Sequence, residues 1–215
     1  MEFAYHGMEL DVPDSVYYPD DDSLLLAEAV SEKVKKDDIF LEIGCGAGLC
    51  SLIAARKEAI VTSADINEEA VIATERNAAI NGISLKAVQS DLFSSISGKF
   101  SLIAFNPPYL PEDETDRHLG SIKDQLIGGH TGREIIERFL KEAKARLKKS
   151  GSILLLISSL TGEHEVIEMC SKYGYNTSVT KKKEIDWEEL MVLRLRAEIA
   201  ESRRPETNTI FGVII

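Results

Sequence analysis

Two short segments of the chain carry the residue types from which chemistry is expected. Leu41–Gly48 places a glutamate and three glycines at the end of an apolar run, and Asn106–Tyr109 follows a second apolar run with an amide, two prolines and a tyrosine. Glycines directly after a buried strand permit a tight turn and a close approach of the backbone to a ligand. The pattern predicts a site for a nucleoside-bearing cofactor beside a rigid polar corner that can hold a planar group.

The spacing of the glycines distinguishes between cofactors. Gly44, Gly46 and Gly48 follow the first apolar run at intervals of two residues. A dinucleotide-binding fingerprint, G-x-G-x-x-G, would need its third glycine at position 49, which is Leu49. The spacing therefore disfavours an oxidoreductase that transfers a hydride to or from a nicotinamide cofactor.

Three carboxylates lie at or near the ends of predicted strands and narrow the choice of cofactor. Glu42 precedes the first glycine and is placed to meet a positive amino group. Asp65 ends the next strand, in the place where a carboxylate accepts both ribose hydroxyls, and Asp91 follows a third strand, where it can receive the amine of adenine. Together with the glycine loop, these carboxylates predict that the cofactor is S-adenosylmethionine.

The Asn-Pro-Pro-Tyr segment indicates which atom would receive the methyl group. The nitrogen of an amide or aromatic amine attacks a sulfonium methyl poorly because its lone pair is delocalised, so catalysis must position that nitrogen and exclude water. The Asn106 side-chain carbonyl can accept one hydrogen of such an NH2 group and the Pro107 carbonyl the other, while Tyr109 packs against its flat face. We therefore predict Asn106, Pro107 and Tyr109 as catalytic residues of an N-methyl transfer.

Alternating apolar runs and helical patterns must position these residues. Continuous apolar runs typical of a parallel sheet covered on both faces predict strands at Ile39–Ile43, Ile60–Ala64, Leu85–Val88, Leu102–Phe105 and Ile153–Ile157. Two further strands, Tyr175–Thr180 and Leu190–Leu195, are joined by the charged stretch Lys181–Glu189 and are predicted to form an antiparallel pair.

Helical patterns fill the intervals between the strands. Ser23 is predicted to cap one helix and Asn67 to cap another that ends near Ala79, while Gly132–Lys149 has an apolar stripe at helical spacing. The expected fold is α/β: a Rossmann-like, doubly wound, seven-stranded and mostly parallel sheet with a C-terminal antiparallel pair. We expect one domain over residues 1–195 and a tail of unknown role over residues 196–215.

Composition excludes several classes of protein. The 215 residues are 44% hydrophobic and 28% charged, and no apolar run approaches the roughly 20 residues that span a bilayer. The net charge of −11 argues against tight, non-specific binding to nucleic acid, and the N-terminus lacks the pattern of a secretory signal. Cys45, Cys50 and Cys170 are too few and too poorly spaced for a zinc site. We expect a cytoplasmic protein with reduced thiols and no bound metal.

The motifs in combination resemble those of class I methyltransferases of the HemK/PrmC-like group, specifically its short archaeal and eukaryotic branch. The resemblance covers about residues 15 to 195 and lies in the segments Val16–Ser23, Glu42–Gly48, Asp65–Asn67, Asp91–Leu92, Phe105–Tyr109 and Gly128–Glu134. It implies methylation of the glutamine side-chain nitrogen in the Gly-Gly-Gln motif of class I translation release factors. By match, the cofactor ligands are Ser23, Glu42, Gly44, Asp65, Asp91 and Leu92, while Asn106 holds the target glutamine and also borders the cofactor.

The resemblance also implies partners. Members of this branch often work with a small zinc-binding activator that covers an exposed sheet edge, and Leu49, Cys50 and Ile53 are either part of such a surface or ordinary core. Bacterial members carry an N-terminal helical domain for substrate, and only about fifteen residues precede the first matching segment here. Substrate contact is therefore expected from the catalytic domain, from the long polar stretch 110–131 or from a partner.

Two competing functions use the same residues. A nucleic-acid methyltransferase acting on adenine N6 or guanine N2 would present the same flat NH2 group to Asn106, although the net acidity favours a protein substrate. A non-catalytic subunit that only binds S-adenosylmethionine is disfavoured, because a purely structural sheet has no need of that amide.

Overall fold

The computed structural model describes residues 1–113 and 123–198. Its strands are β1 (Glu2–Tyr5), β2 (Met8–Asp11), β3 (Ile39–Ile43), β4 (Ile60–Asp65), β5 (Lys86–Gln89), β6 (Phe100–Phe105), β7 (Leu147–Ser158), β8 (Tyr175–Ile185) and β9 (Glu188–Ala197). Its helices are α1 (Asp21–Lys33), α2 (Leu49–Arg56), α3 (Glu68–Ile80), α4 (Lys123–Leu126), α5 (Glu134–Arg146) and α6 (Glu163–Lys172), with a 3-10 turn over Ser159–Thr161.

Seven strands form one sheet in the order β5-β4-β3-β6-β7-β9-β8. The first five are parallel to one another, whereas β9 is antiparallel to both β7 and β8. The prediction of a mostly parallel seven-stranded α/β sheet with a C-terminal antiparallel pair is therefore confirmed. Of the helices in the described residues, none is both long enough and apolar enough to cross a membrane.

The central strands are buried on both faces, and alternate residues enter different cores. Phe40, Leu102 and Leu154 belong to the cluster that includes α1, α2 and α3, while Leu41 and Ile103 belong to the cluster that includes α5 and α6. Since successive side chains of a strand point to opposite faces, a run that is apolar at every position is what a doubly covered sheet requires.

The order of strands creates a crevice where the direction of winding reverses. From β3 the chain proceeds outward through β4 to β5, and then returns to the other side of β3 as β6. Ile43 pairs with Phe105, the last residues of these two strands. The glycine loop that follows β3 and the Asn106 corner that follows β6 are therefore neighbours at the carboxyl ends of the sheet, where doubly wound sheets bind ligands.

Several element boundaries differ from the prediction. The helix predicted at Gly132–Lys149 is α5, which ends at Arg146 because Leu147 already pairs with Phe100 as part of β7. The stretch Lys181–Glu189, predicted as a connection, lies almost wholly within β8 and β9, and Asp186 and Trp187 alone separate the two strands. The hairpin β1–β2 and the helix α6 were not predicted.

The cap of the first helix was also predicted wrongly. Asp20 caps α1, and its side chain accepts a hydrogen bond from the Asp21 N–H, so Ser23 lies inside the first turn. Asn67 caps α3 as predicted and accepts from the Glu69 N–H. Most of the predicted tail, residues 199–215, lies outside the described residues.

Candidate active site

A cleft of about 670 Å³ opens at the carboxyl ends of the sheet, beside β3, β4 and β6. It brings together all ten predicted site residues other than Gly48, so residues of both chemistry-bearing segments line the same cleft. The predicted residues that line it are Ser23, Glu42, Gly44, Gly46, Asp65, Asp91, Leu92, Asn106, Pro107 and Tyr109.

Gly48 is the predicted cofactor residue that does not line the cleft. It is the N-terminal cap residue of α2 with φ +88°, and a Cβ there would lie 2.9 Å from Cγ2 of Thr74. Glycine is required at position 48 because a side chain there would collide with Thr74 of α3. By contrast, Gly44 faces the cleft with φ +65°, and a Cβ on it would come within 3.5 Å of the Asn106 carbonyl oxygen.

Glu42 is a buried carboxylate at the end of β3. Its Oε2 accepts hydrogen bonds from the Ser51 N–H at 2.8 Å and from the Ser51 hydroxyl at 2.5 Å. Burial raises the pKa of Glu42 to about 7, although the bonds from Ser51 oppose the shift. No cation of the described part of the chain pairs with Glu42. A buried carboxylate in that situation favours a positively charged ligand group, which would restore the ionised form.

The raised pKa of Glu42 makes a testable contribution to stability. The folded protein favours the protonated form, so this contribution is complete below the unfolded pKa of 4.5 and is lost as pH rises through about 7. Between ~pH 4.5 and ~pH 8, the free energy of unfolding of the wild type should fall by about 3 kcal/mol more than that of Glu42→Gln. Urea denaturation across this range measures the difference, and parallel pH profiles would contradict it.

Asp65 ends β4 and faces the glycine loop. Its Oδ2 accepts from the Gly46 N–H and its Oδ1 accepts from the Asn67 N–H, both at 2.9 Å. Burial raises the pKa of this carboxyl group, against the opposing effect of these backbone donors. The Ile66 N–H is a further backbone hydrogen-bond partner of this carboxyl group. A carboxylate has about four acceptor sites, so acceptor capacity for ligand hydroxyls remains while the group stays fixed to the loop.

Asp91 and Leu92 form the wall beyond β5. Asp91 Oδ2 is 2.7 Å from Arg138 Nη2 of α5, and both side chains are about half exposed, so this ion pair lies at the rim of the cleft. Leu92 is buried and adopts φ +47°, a left-handed conformation that a leucine rarely takes. Strain of this kind is concentrated at ligand sites, and Leu92 lines the cleft.

Asn106 directly follows β6 and lines the cleft. Its Nδ2 donates a hydrogen bond to Oδ2 of Asp22 at 3.0 Å. Its Oδ1 is buried and has no hydrogen-bond partner in the described structure. A buried amide oxygen without a partner is costly by about 1–3 kcal/mol, so this position calls for a donor from a ligand.

Two tyrosines flank the Asn106 corner. Burial raises the pKa of Tyr109 and of Tyr17, and the nearby carboxylate of Asp22 adds to both shifts, so both phenols stay neutral. The Tyr17 N–H donates to Oε1 of Gln125 at 2.6 Å, which ties the segment before α1 to α4. The cleft around Asn106 is therefore walled by neutral aromatic rings that can cover a planar group.

The segment Gly128–Gly132 packs behind the Asn-Pro-Pro-Tyr corner. A Cβ on Gly128 would collide with the Pro108 carbonyl oxygen, and a Cβ on Gly132 with that of Tyr109. The Gly128 N–H also donates to the Leu110 carbonyl at 3.0 Å. Glycine is required at both positions because backbone lies directly against backbone, and the contact holds the corner in place.

This packing predicts an unequal effect of two alanine substitutions. Gly82→Ala introduces a side chain at φ +64° in open space and should cost only ~1–2 kcal/mol of left-handed strain. Gly132→Ala, at φ +74°, adds a collision with Tyr109 and should cost ~1–3 kcal/mol more. Chemical denaturation of both variants measures the difference in their free energies of unfolding. Equal losses of stability would show that the contact between Gly132 and Tyr109 does not stabilise the corner.

The cleft residues that were not predicted as site residues include Tyr17, Asp22, Gln125 and Arg138. Tyr17 and Asp22 belong to the segment Val16–Ser23 that supported the family resemblance, so their type and position were visible in the sequence. Gln125 and Arg138 reach the cleft from α4 and α5, and no strand-end pattern marks them. Within residues 1–113 and 123–198, His, Cys, Asp and Glu form no group that could hold a metal ion. Cys45, Cys50 and Cys170 are buried free thiols.

Comparison with known proteins places this geometry in a family. Residues 15–186 match the family described as "Methyltransferase small domain". A provisionally named protein N5-glutamine methyltransferase, MJ0928 of Methanocaldococcus jannaschii, is 40% identical over 194 residues, which cover 90% of this chain and 98% of that protein. The release factor glutamine methyltransferase of Streptococcus pneumoniae is 32% identical over 167 residues, covering 74% of this chain and 60% of that protein.

A solved structure agrees with the sequence relatives. The E. cuniculi Mtq2–Trm112 complex, described as responsible for methylation of the translation termination factor eRF1, contains a chain with a TM-score of 0.68 and 26% identity. The match covers 86% of this chain and 99% of that chain. The resemblance to the HemK/PrmC-like group predicted from the motifs is confirmed. The chain belongs to the methyltransferase small domain family and, within it, to the group of protein N5-glutamine methyltransferases.

Proposed function

We propose that this protein transfers a methyl group from S-adenosylmethionine to the side-chain amide nitrogen of the glutamine in the Gly-Gly-Gln motif of a class I release factor. One observation carries the proposal: in a cleft of cofactor size, Asn106 presents a buried amide oxygen that has no donor among residues 1–113 and 123–198. A carboxamide NH2 supplies that donor. The named activities of the relatives support glutamine as the residue that carries it.

The residues around the cleft fit S-adenosylmethionine. Glu42 is a buried carboxylate that pairs with no cation among the described residues, and it would hold the amino group of the methionine portion. Asp65 has free acceptor capacity for the ribose hydroxyls. Gly44, Ser23, Asp91 and Leu92 would complete the site, since all of them line the same cleft. When bound, the cofactor supplies an electrophilic methyl group on a positively charged sulfur.

The catalytic residues would act by orientation. Asn106 Oδ1 would accept one hydrogen of the target NH2 and the Pro107 carbonyl the other, which directs the nitrogen lone pair out of the amide plane. Tyr109 and Tyr17 would cover the planar amide and exclude water, and their raised pKa values keep them uncharged. Transfer would replace the methyl–sulfur bond by a methyl–nitrogen bond, with the electron pair of the broken bond left on sulfur. The methylated nitrogen would be strongly acidic and would pass its proton to water at the mouth of the cleft, so no strong base is required.

A small activator subunit is a further part of the proposal. The strand β5 is at the edge of the sheet and contacts β4 and α3, on which three isoleucines are at least half exposed: Ile60, Ile72 and Ile80. An unpaired edge beside exposed apolar side chains is a typical binding surface for another chain. Leu49, Cys50 and Ile53 are buried core residues and do not contribute to it. Co-elution of the two chains in size-exclusion chromatography tests this contact.

The experiment that tests the function separates protein from nucleic acid as the methyl acceptor. The protein, with its activator if one is required for solubility, is incubated with S-adenosylmethionine labelled in the methyl group and with either a class I release factor or ribosomal and transfer RNA. We expect label in the release factor alone, and none in a release factor whose motif glutamine is replaced by alanine. Label in RNA alone would overturn the proposal in favour of a base methyltransferase.

A further inference from the structure

The orientation of the Asn106 amide is set by a single neighbour. Its nitrogen donates to Asp22 Oδ2 at 3.0 Å, and its oxygen has no hydrogen-bond partner in the part of the chain that the structure describes. An amide can rotate by 180° and exchange its donor and acceptor ends with almost no change in shape. Because a carboxylate only accepts hydrogen bonds, the rotated amide would place oxygen against oxygen. Asp22 therefore selects the orientation in which the Asn106 oxygen is free for a ligand.

Asp22 is itself held in one position. It is a buried residue in the first turn of α1, with 4% of its surface exposed. Its Oδ1 accepts from the Ser23 N–H at 2.5 Å and from the Ser23 hydroxyl at 3.1 Å, and Tyr17 is a further side-chain hydrogen-bond partner. The two oxygens are thus divided: Oδ1 faces fixed donors on its own helix, and Oδ2 faces Asn106.

We propose that Asp22 is a positioning residue, whose ionised carboxylate holds the Asn106 amide with its oxygen toward the methyl acceptor. This inference rests on the proposed function, because it concerns how the acceptor NH2 is received. Asp22 does not need to touch the acceptor. It acts through Asn106, and its burial is explained by the need to face that amide closely.

The division of the two oxygens makes the effect of Asp22→Asn specific. An asparagine at position 22 must keep its carbonyl oxygen toward the Ser23 N–H, which can only donate. Its NH2 group then faces Asn106, and the Asn106 amide must rotate to accept from it. The variant would present an NH2 group to the acceptor NH2, so the catalytic hydrogen bond is lost while volume and packing are preserved.

Protonation should have the same consequence as this substitution. Because the Ser23 N–H on Oδ1 can only donate, a proton on Oδ2 would donate to Asn106, which again favours the rotated amide. The charge of Asp22 raises the pKa of three nearby groups, Tyr17, Tyr109 and Cys50. The charge of Asp20 also raises the pKa of both tyrosines. Burial raises the pKa of Asp22, so kcat should decline as pH falls through this raised value.

The test compares Asp22→Asn with the matched control Asp21→Asn. Asp21 is the preceding residue of the same helical turn, but its partly exposed carboxylate pairs with Lys183 at 2.8 Å and does not contact Asn106. We expect Asp22→Asn to lower kcat by ~10²-fold, with the Kd for S-adenosylmethionine and the Tm close to those of the wild type, and to remove the acidic limb of the kcat profile. We expect Asp21→Asn to retain the wild-type kcat and pH profile.

The outcomes distinguish this inference from the proposed function. If the wild type labels the release factor and Asp22→Asn retains its kcat, the positioning role is refuted while the function stands. If the wild type fails to label it, the function itself fails. Nuclear magnetic resonance of the wild type provides a second measurement should Asp22→Asn not fold. One side-chain amide proton of Asn106 should shift as Asp22 titrates, and two protons that exchange freely with solvent at every pH would refute the inference.

Discussion

Replacing Asn106 with alanine is expected to lower kcat for release factor methylation by ~10²–10³-fold, the range found when one preorganised hydrogen-bonding group is removed from an active site. The substitution removes a buried side-chain oxygen that has no hydrogen-bond partner among the described residues and is proposed to accept from the target NH2. Since that oxygen acts on the acceptor rather than on the cofactor, the Kd for S-adenosylmethionine should change by no more than a few-fold. Steady-state kinetics with isothermal titration calorimetry on the same preparation measures both quantities.

The matched control for this prediction is Asn81→Ala. Asn81 is also an asparagine whose side chain bonds to a neighbouring segment, but it holds the hairpin β1–β2 at Glu9 instead of facing the cleft. It should retain kcat within about twofold even if the hairpin loosens, because the substitution does not touch the site. An Asn106→Ala protein that folds, binds the cofactor and turns over at the wild-type rate would remove the assigned role of this residue.

Replacing Asp65 with alanine should have the second-largest effect, and this effect should be on the Kd for S-adenosylmethionine instead of on kcat. The carboxylate would accept two ligand hydroxyls, and each hydrogen bond to a charged group contributes ~1.5–3 kcal/mol. The Kd for S-adenosylmethionine should therefore rise by at least ~10²-fold. At saturating cofactor, kcat should change far less, because Asp65 does not contact the acceptor nitrogen in this proposal. Calorimetric titration and kinetics at several cofactor concentrations separate the two effects.

Asp38→Ala is the control for Asp65→Ala. Asp38 also accepts from a backbone N–H, that of Lys35 at 2.9 Å, but it precedes β3 and lies at the opposite end of the sheet from the cleft. Both variants lose a local backbone bond, and only Asp65→Ala should lose the cofactor. Equal affinities in the two variants would mean that the ribose is not held at the end of β4.

Much of the fold was predictable because the buried parallel strands have a strong sequence signal. The run Ile39–Ile43 is apolar except for Glu42, is bounded by a glycine, and forms β3 without any shift of its ends. The hairpin β1–β2 lacks such a signal. Its turn uses left-handed conformations at His6 and Gly7, and it is secured by side chains of α3 such as Asn77. Contacts of that kind depend on residues far along the chain.

Tertiary pairing also explains the error at Lys181–Glu189. Three consecutive lysines predict a solvated connection, yet they lie in β8 opposite β9. Lys181 pairs with Glu28 and Glu32 of α1. These carboxylates lie about 150 residues earlier in the sequence, so local propensity could not show that they offset the charge.

The residues of the candidate site that lie at the ends of parallel strands were predictable from the sequence. In a parallel sheet the carboxyl ends share one edge, so Glu42, Asp65 and Asn106 were expected to meet, and all three line the cleft. The orientation of Asn106 was not predictable from that rule. It depends on Asp22, which arrives from a helix 84 residues earlier in the chain.

The most direct test of the account is the location of the methyl group on the release factor. After reaction with S-adenosylmethionine, tandem mass spectrometry of the peptide that contains the Gly-Gly-Gln motif should find one added methyl group, on the side-chain nitrogen of the glutamine. In a reaction stopped within the first turnovers of the wild type, the same peptide should carry little or no methyl group after reaction with Asn106→Ala. A methyl group on any other residue of the release factor, or on the motif glutamine with full yield from Asn106→Ala, would contradict the claim that Asn106 receives a glutamine amide.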